Sequence, residues 1–392
     1  MSVEGKTLRD TAKLTLALCF MLALMEGFDL QSMGVAAPMM REAFHLDPKQ
    51  LGMAFSAATL GTLPGALLAG KLADMYGRKP VLLVNTILFG IMSIFTAHAE
   101  TFPLLLVARF LTGLGLGGAL PILITMATEA VQPKWRGTAV SAMYCGVPAG
   151  GIITSLVAIS LAKQFGWESI FYAGGAAPLL LLPVIVLFLP ESKAYLQSKL
   201  EAEQRKYSIG HILFGEGRLA GSIQLWISFF CTLIVLYVLL NWLPTLFAGK
   251  HFSREEINYV QIGFNIGGVC GTLLLGLLLD KLNIKGVIVL IYAGMLAALF
   301  ALASSSALGS VIASTMACGM FVIGGQGALY ALAGMFYPSA IRGTGVGTAV
   351  AVGRGGSFAG PILAGLILSG SKDGMTVISS AIPVIAVAFI SA

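Results

Sequence analysis

Residues 70–79 read GKLADMYGRK, and residues 276–282 read GLLLDKL. Gly70 and Gly276 lie 206 positions apart, and so do Asp74 and Asp280. RGTAVS at 136–141 and RGTGVG at 342–347 keep the same interval between Arg136 and Arg342. Landmarks that share one offset mark an internal duplication. Every copy is flanked by long apolar runs, so the duplicated unit is itself a set of apolar segments.

Hydrophobic residues make up 57% of the 392-residue chain and charged residues only 11%. A soluble domain is about a quarter charged. The apolar excess falls in twelve runs of ~20 residues, each long enough to cross a bilayer as a helix. They cover roughly 14–38, 51–72, 80–98, 102–128, 138–161, 169–189, 222–247, 257–279, 286–305, 308–335, 343–370 and 375–392. The expected fold is an all-α polytopic membrane protein with twelve transmembrane helices in two six-helix halves, 1–190 and 222–392. Residues 191–221, with five Lys/Arg and four Glu, read as a cytoplasmic linker. Repeats of this kind are common in secondary transporters.

With both termini in the cytoplasm, 16 of the 24 Lys and Arg fall on inner segments, 6 on outer segments and two within spans. That bias follows the positive-inside rule. The net charge of +6 therefore reflects membrane topology and does not point to nucleic acid. The first run is too long for a signal peptide and carries two acids. A cytoplasmic tail is expected beyond the twelfth span. The five cysteines fall in apolar runs with no C-x-x-C pair, so neither a disulfide framework nor a metal site is indicated. GALLAGKL at 65–72 lacks the hydroxyl residue of a phosphate loop, and GLGLGG at 113–118 has no strand before it. Glycines four apart, Gly61/Gly65 and Gly113/Gly117, read instead as close helix crossings.

Four ionisable residues lie well inside the spans: Glu26, Asp29, Arg109 and Arg354. Intramembrane charges are costly and mark functional positions. Glu26 and Asp29 share a helix face. Two carboxylates so close in a low dielectric cannot both ionise easily, so one is expected to carry a proton. The other reading is a structural clasp between helices. Span 7 has Thr232 and Val235 at the same offset, so symmetric packing does not demand acids. Arg354 stands ~16 Å into the eleventh run by helical rise, among the glycines of VGRGGS. Those glycines read as room for a ligand beside a guanidinium, which can grip a carboxylate through two parallel hydrogen bonds. A fixed ion pair with Glu26 or Asp29 is the competing reading. Tyr144, Asn241, Trp242, Gln326 and Tyr330 are candidates for the lining of an aromatic-ligand pocket, or for plain helix packing.

GKLADMYGRK resembles the signature of the major facilitator superfamily between its second and third spans. LLLVARFLTGLGLGG at 104–118 is similar to its fourth-span motif, and LPES at 189–192 to the end of its sixth span. MEGFDLQSMGVAAP at 25–38 resembles the D-G-x-D motif of the aromatic acid:proton symporters, with Glu26 in the first Asp position. With GVGTAVAVGR at 345–354, the chain is most similar to the bacterial 3-(3-hydroxyphenyl)propionate transporters within that family. The resemblance implies proton-coupled import of an aromatic carboxylate across a bacterial inner membrane by a monomer, with no cofactor and no enzymatic step. Arg109 matches the superfamily's fourth-span arginine and would assist proton transfer or hold the acids in place. Asp74, Arg78, Glu129, Arg136, Asp280 and Arg342, at cytoplasmic helix ends, would form a gate, with Asp74 facing the N-terminus of span 11. An efflux antiporter of the same fold is the nearest rival, and GVPAGG at 146–151 is one residue short of the exporter motif. A non-transporting receptor is a further alternative, against which no loop is large enough for a signalling domain.

Overall fold

The computed structural model describes residues 3–132, 135–191, 218–250, 252–337, 342–371 and 373–392. Among these it has twelve helices long and apolar enough to cross a membrane, here spans 1 to 12. They are Ala12–Ala43, Pro48–Ala73, Arg78–Ala97, Phe102–Glu129, Arg136–Phe165, Glu168–Phe188, Leu219–Ala248, Arg254–Leu279, Ile284–Ser304, Leu308–Tyr330, Gly345–Ser371 and Gly374–Ser391. All twelve expected runs are present. Most of the expected linker, 192–217, lies outside the described residues.

The chain divides into two compact units. One comprises Met1–Ala36 with Ala57–Glu203, and the other Ala37–Ser56 with Gln204–Ala392. In the first unit spans 2 and 4 cross on glycines. A methyl group on Gly61 or Gly65 would strike the Phe110 or Leu114 carbonyl, and one on Gly113 would strike that of Ala58. In the second unit spans 8 and 10 repeat the crossing. Gly267 and Gly271 meet the Met316 and Met320 carbonyls, and Gly319 meets that of Phe264. Each glycine and each carbonyl is displaced by the same 206 positions. Spans 5 and 1 meet at Gly150 and the Leu24 carbonyl, spans 11 and 7 at Gly356 and the Phe230 carbonyl, again at that offset. Lipid tails are as apolar as the helices, so close backbone packing supplies much of the association energy.

Span 5 departs from its partner. Pro148 has no N–H to offer the carbonyl four residues back, and the helix Arg136–Tyr144 ends just there, before Gly146–Val157 resumes. A five-residue π-helical turn, Ala158–Ala162, follows. Span 11, by contrast, is one helix, Arg342–Ser371. Arg354 occupies the position there that Pro148 holds in span 5.

The segment Ala37–Ser56, joining spans 1 and 2, packs within the second unit. Ser56 Oγ donates to the Phe358 carbonyl at 2.7 Å. Phe55 meets Trp242 edge-on at 5.1 Å, while the Trp242 indole donates to the Pro361 carbonyl at 3.1 Å. Gly52 and Gly365 keep this crossing close against the Pro361 and Pro48 carbonyls. The Glu42–Arg254 ion pair at 2.8 Å is exposed and adds little.

At the start of span 3, Gly77 takes φ 103°, a conformation that other residues resist. A glycine has no side chain with which to cap the helix. The first amides are met instead by Glu191, whose carboxylate accepts from the Arg78 N–H at 3.0 Å and the Lys79 N–H at 3.2 Å. The helix dipole favours an anion there. Lys79 Nζ completes the tie by donating to the Val186 carbonyl at 2.7 Å.

Two outcomes follow from these contacts. Gly113→Leu and Gly319→Leu should each lose the monodisperse peak in detergent size-exclusion chromatography. Gly137→Ala, where a methyl group meets nothing within 4 Å, should keep it. Glu191→Ala should cost about 1 kcal/mol, as loss of a helix cap does, seen as a lower melting temperature of the detergent-solubilised protein.

Candidate functional site

The rotation of span 1 decides where its acids point. Gly27 abuts the Val147 carbonyl and Gly150 abuts that of Leu24, so span 1 lies tight on span 5. Thr154 Oγ1 donates to the Phe28 carbonyl at 3.0 Å and fixes that face. Asp29 is two residues beyond Gly27, about 200° around the helix. It therefore points away from span 5, towards spans 3, 4 and 6.

There it meets Arg109. The guanidinium Nη1 lies 3.4 Å from Asp29 Oδ1, and Nη2 lies 3.2 Å from Oδ2 and 3.3 Å from the Asp29 carbonyl. Ser93 of span 3 donates to Oδ1 at 2.7 Å. Ser32 Oγ donates to the Asp29 carbonyl at 2.7 Å. The Phe171 ring of span 6 lies 5.6 Å from the guanidinium carbon, in cation–π range. Arg109 Nε has no hydrogen-bond partner among the described residues. Asp29 is 0% exposed, Arg109 1% and Glu26 3%. Of the two acids that could have paired with an arginine, Asp29 takes Arg109, while Glu26 sits one turn earlier on the same helix.

Arg354 is half-buried in the second unit, and its Nη1 donates to the Tyr237 hydroxyl at 2.9 Å. One expectation is corrected here. The glycines beside it do not open space for a ligand, because span 7 fills it. A methyl group on Gly356 would strike the Phe230 carbonyl, and one on Gly353 would come within 2.6 Å of the Leu233 side chain. Gly355 faces the Phe230 ring at 3.5 Å. Gly356 brings two backbones together, as Gly150 does in spans 5 and 1, while Gly353 makes room for side chains of span 7.

Asn241 is buried and donates to the Tyr237 carbonyl at 2.9 Å. Trp242 is fully buried in the contact with Phe55 and Pro361. Gln326 Nε2 reaches the Tyr330 hydroxyl at 3.4 Å, and the Tyr330 ring meets Phe229 edge-on at 5.6 Å. Phe229 in turn lies beside Gly353, one residue before Arg354. Tyr144 is half-buried at the end of the first piece of span 5. Among the residues expected to gate, Arg78 and Glu129 form an ion pair between the ends of spans 3 and 4. Arg136 is exposed. The side chains of Asp74, Asp280 and Arg342 lie outside the described set.

Ser93, Phe171, Tyr237 and Glu191 were not among the residues singled out from the sequence. Tyr237 stands one turn before Asn241, and that spacing could have revealed it. Ser93 is a hydroxyl in an apolar run, with no signal besides its polarity.

Comparison with known proteins agrees with this architecture. The sequence pattern described as Major Facilitator Superfamily matches residues 19–361. The 3-(3-hydroxy-phenyl)propionate transporter of Escherichia coli (strain K12) is 45% identical over 375 residues, 96% of this chain and 92% of that one. A 4-hydroxybenzoate transporter, PcaK of Pseudomonas aeruginosa, is 33% identical over 90% of this chain and 85% of its own length. The partially occluded, inward-open xylose transporter XylE from E. coli superposes with a TM-score of 0.80 over 97% of this chain and 96% of that one. At 17% identity that last likeness speaks for the fold alone. With a family match over most of its length and transporters as its relatives, the chain is a multi-pass membrane transporter, not an enzyme, and belongs to the Major Facilitator Superfamily.

Proposed function

We propose that this protein is a proton-coupled symporter that imports an aromatic carboxylate, of the 3-(3-hydroxyphenyl)propionate kind, across a bacterial inner membrane. The substrate class rests on the relatives named for 3-(3-hydroxy-phenyl)propionate and 4-hydroxybenzoate, both aromatic acids. The observation that carries the coupling is the buried Asp29–Arg109 pair beside Glu26. An ion pair out of water persists only while both partners are charged. A proton delivered to span 1 and passed to Asp29 cancels the attraction and frees Arg109. Glu26, one turn away, is the carboxylate through which that proton arrives or leaves.

The substrate carboxylate is assigned to Arg354. Tyr237 accepts from its Nη1 and helps orient the fork, whose planar shape suits a carboxylate. Gln326, Tyr330 and Asn241 supply polar and aromatic contacts for the ring. Trp242 acts from behind, by fixing span 7 on span 11. Asp74, Arg78, Glu129, Arg136, Asp280 and Arg342 serve the cytoplasmic gate of an alternating-access cycle. The working unit is a monomer with both termini in the cytoplasm.

The coupling is tested in proteoliposomes with an imposed pH gradient. Glu26→Gln and Asp29→Asn should each abolish accumulation of labelled substrate, while substrate exchange survives in at least one. If both variants still concentrate substrate, the acids do not carry the proton.

The carboxylate anchor is tested by binding. Arg354→Lys keeps the charge but loses the fork, and affinity should fall by about 1.5–3 kcal/mol. Arg354→Ala should bind the acid no better than its neutral amide, a pair that wild type separates strongly. An undiminished preference for the acid would move the anchor to another residue.

A further inference from the structure

The shortest bond to the Asp29 carboxylate does not come from the arginine. Ser93 Oγ stands 2.7 Å from Oδ1, against 3.2 Å and 3.4 Å for the guanidinium contacts. Charge-assisted N–H···O bonds run at about 2.7–2.9 Å, so Arg109 is held back from full contact. Ser93 also has a second acceptor within reach. The Phe171 carbonyl of span 6 lies 3.4 Å from the same oxygen. Ser93 is fully buried, so no water competes for its single hydrogen.

We propose that Ser93 is a positioning residue for proton coupling, a hydroxyl with two settings that follow the protonation of Asp29. This rests on the coupling mechanism proposed above. While Asp29 is ionised, the hydroxyl hydrogen points to Oδ1 and Ser93 acts as donor. When Asp29 takes up a proton, its own O–H becomes the donor and the Ser93 oxygen accepts it. The serine hydrogen then turns to the Phe171 carbonyl. No covalent bond to Ser93 changes, and the only proton transferred is the one gained by Asp29. In both settings the hydroxyl hydrogens of Ser93 and of protonated Asp29 have acceptors, which matters because an unsatisfied buried polar group is costly. The charged and ionisable neighbours are Arg109 from span 4 and Glu26 on span 1 itself. Ser93 lets Asp29 become neutral without stranding a hydroxyl, while Phe171 serves both states, its ring under Arg109 and its carbonyl beside Ser93.

Wild type, Ser93→Ala and Ser93→Thr are compared in proteoliposomes given labelled 3-(3-hydroxyphenyl)propionate from outside, each protein checked by size-exclusion chromatography. Ser93→Ala should lower accumulation under a pH gradient roughly tenfold, the effect of losing one hydrogen bond to a charged group. Exchange at equal pH on both sides should fall much less. Ser93→Thr, which keeps the hydroxyl, should restore accumulation. Difference infrared spectra give a second reading. The carbonyl stretch of protonated Asp29, assigned by its loss in Asp29→Asn, should shift in Ser93→Ala and return in Ser93→Thr. The proposal is overturned if Ser93→Ala accumulates substrate as wild type does. It is equally overturned if Ser93→Ala loses accumulation and exchange together and Ser93→Thr rescues neither. A wild type indifferent to the pH gradient would instead reject proton coupling itself, which separates the two failures.

Discussion

A guanidinium and a carboxylate face each other between spans 1 and 4, both out of reach of water. Taking such a pair out of water costs several kcal/mol per ion, and only good geometry with further hydrogen bonds offsets it. The surrounding helices are arranged around that requirement. Span 3 supplies Ser93, span 6 supplies the Phe171 ring and carbonyl, and span 1 adds Ser32 on the Asp29 carbonyl. Ser93 and Arg109 could not reach Asp29 if span 1 were turned by a third of a revolution, whereas Ser32 turns with it. The glycine contacts with span 5 set that rotation, so backbone packing on one side of the helix places the charge on the other.

The duplicated frame and the chemistry obey different rules. Glycine-on-carbonyl crossings recur at one offset in both units, because helices in a membrane must approach by the same means wherever they pack. The charged positions inside the spans do not recur. Thr232 stands where Glu26 would be repeated, Val235 where Asp29 would, and Thr315 where Arg109 would. In the opposite direction, Arg354 corresponds to Pro148. One helix is broken at the level where its counterpart carries a guanidinium. The packing residues repeat, while the polar positions differ: one unit carries Glu26, Asp29 and Arg109 inside its spans, and the other carries Arg354.

Twelve spans, the repeat and the buried ionisable residues were legible in the sequence, since each is a local or periodic signal. Apolar length needs only counting, and a charge inside an apolar run stands out. Partnership was not legible. Glu26 and Asp29 share a face, and only the approach of spans 3 and 4 selects Asp29 for Arg109. Ser93 is a plain hydroxyl among apolar neighbours, so its importance exists only in three dimensions. The glycines of VGRGGS show how a sound local inference fails. Missing side chains do create space, but the sequence does not say whether a ligand or a neighbouring helix fills it. Here it is span 7.

The Glu191 cap has a consequence for how the protein is made. The amides at the start of span 3 wait for a carboxylate 113 residues further along the chain. At about 5–20 residues per second, the ribosome needs on the order of ten seconds to deliver it. During that interval span 3 can be inserted, with water as the partner of its first turn. Its anchoring at the membrane surface is finished only when span 6 has crossed back. A chain cut short before Glu191 thus holds all the residues of the Asp29 site in a bundle whose third helix lacks its cap.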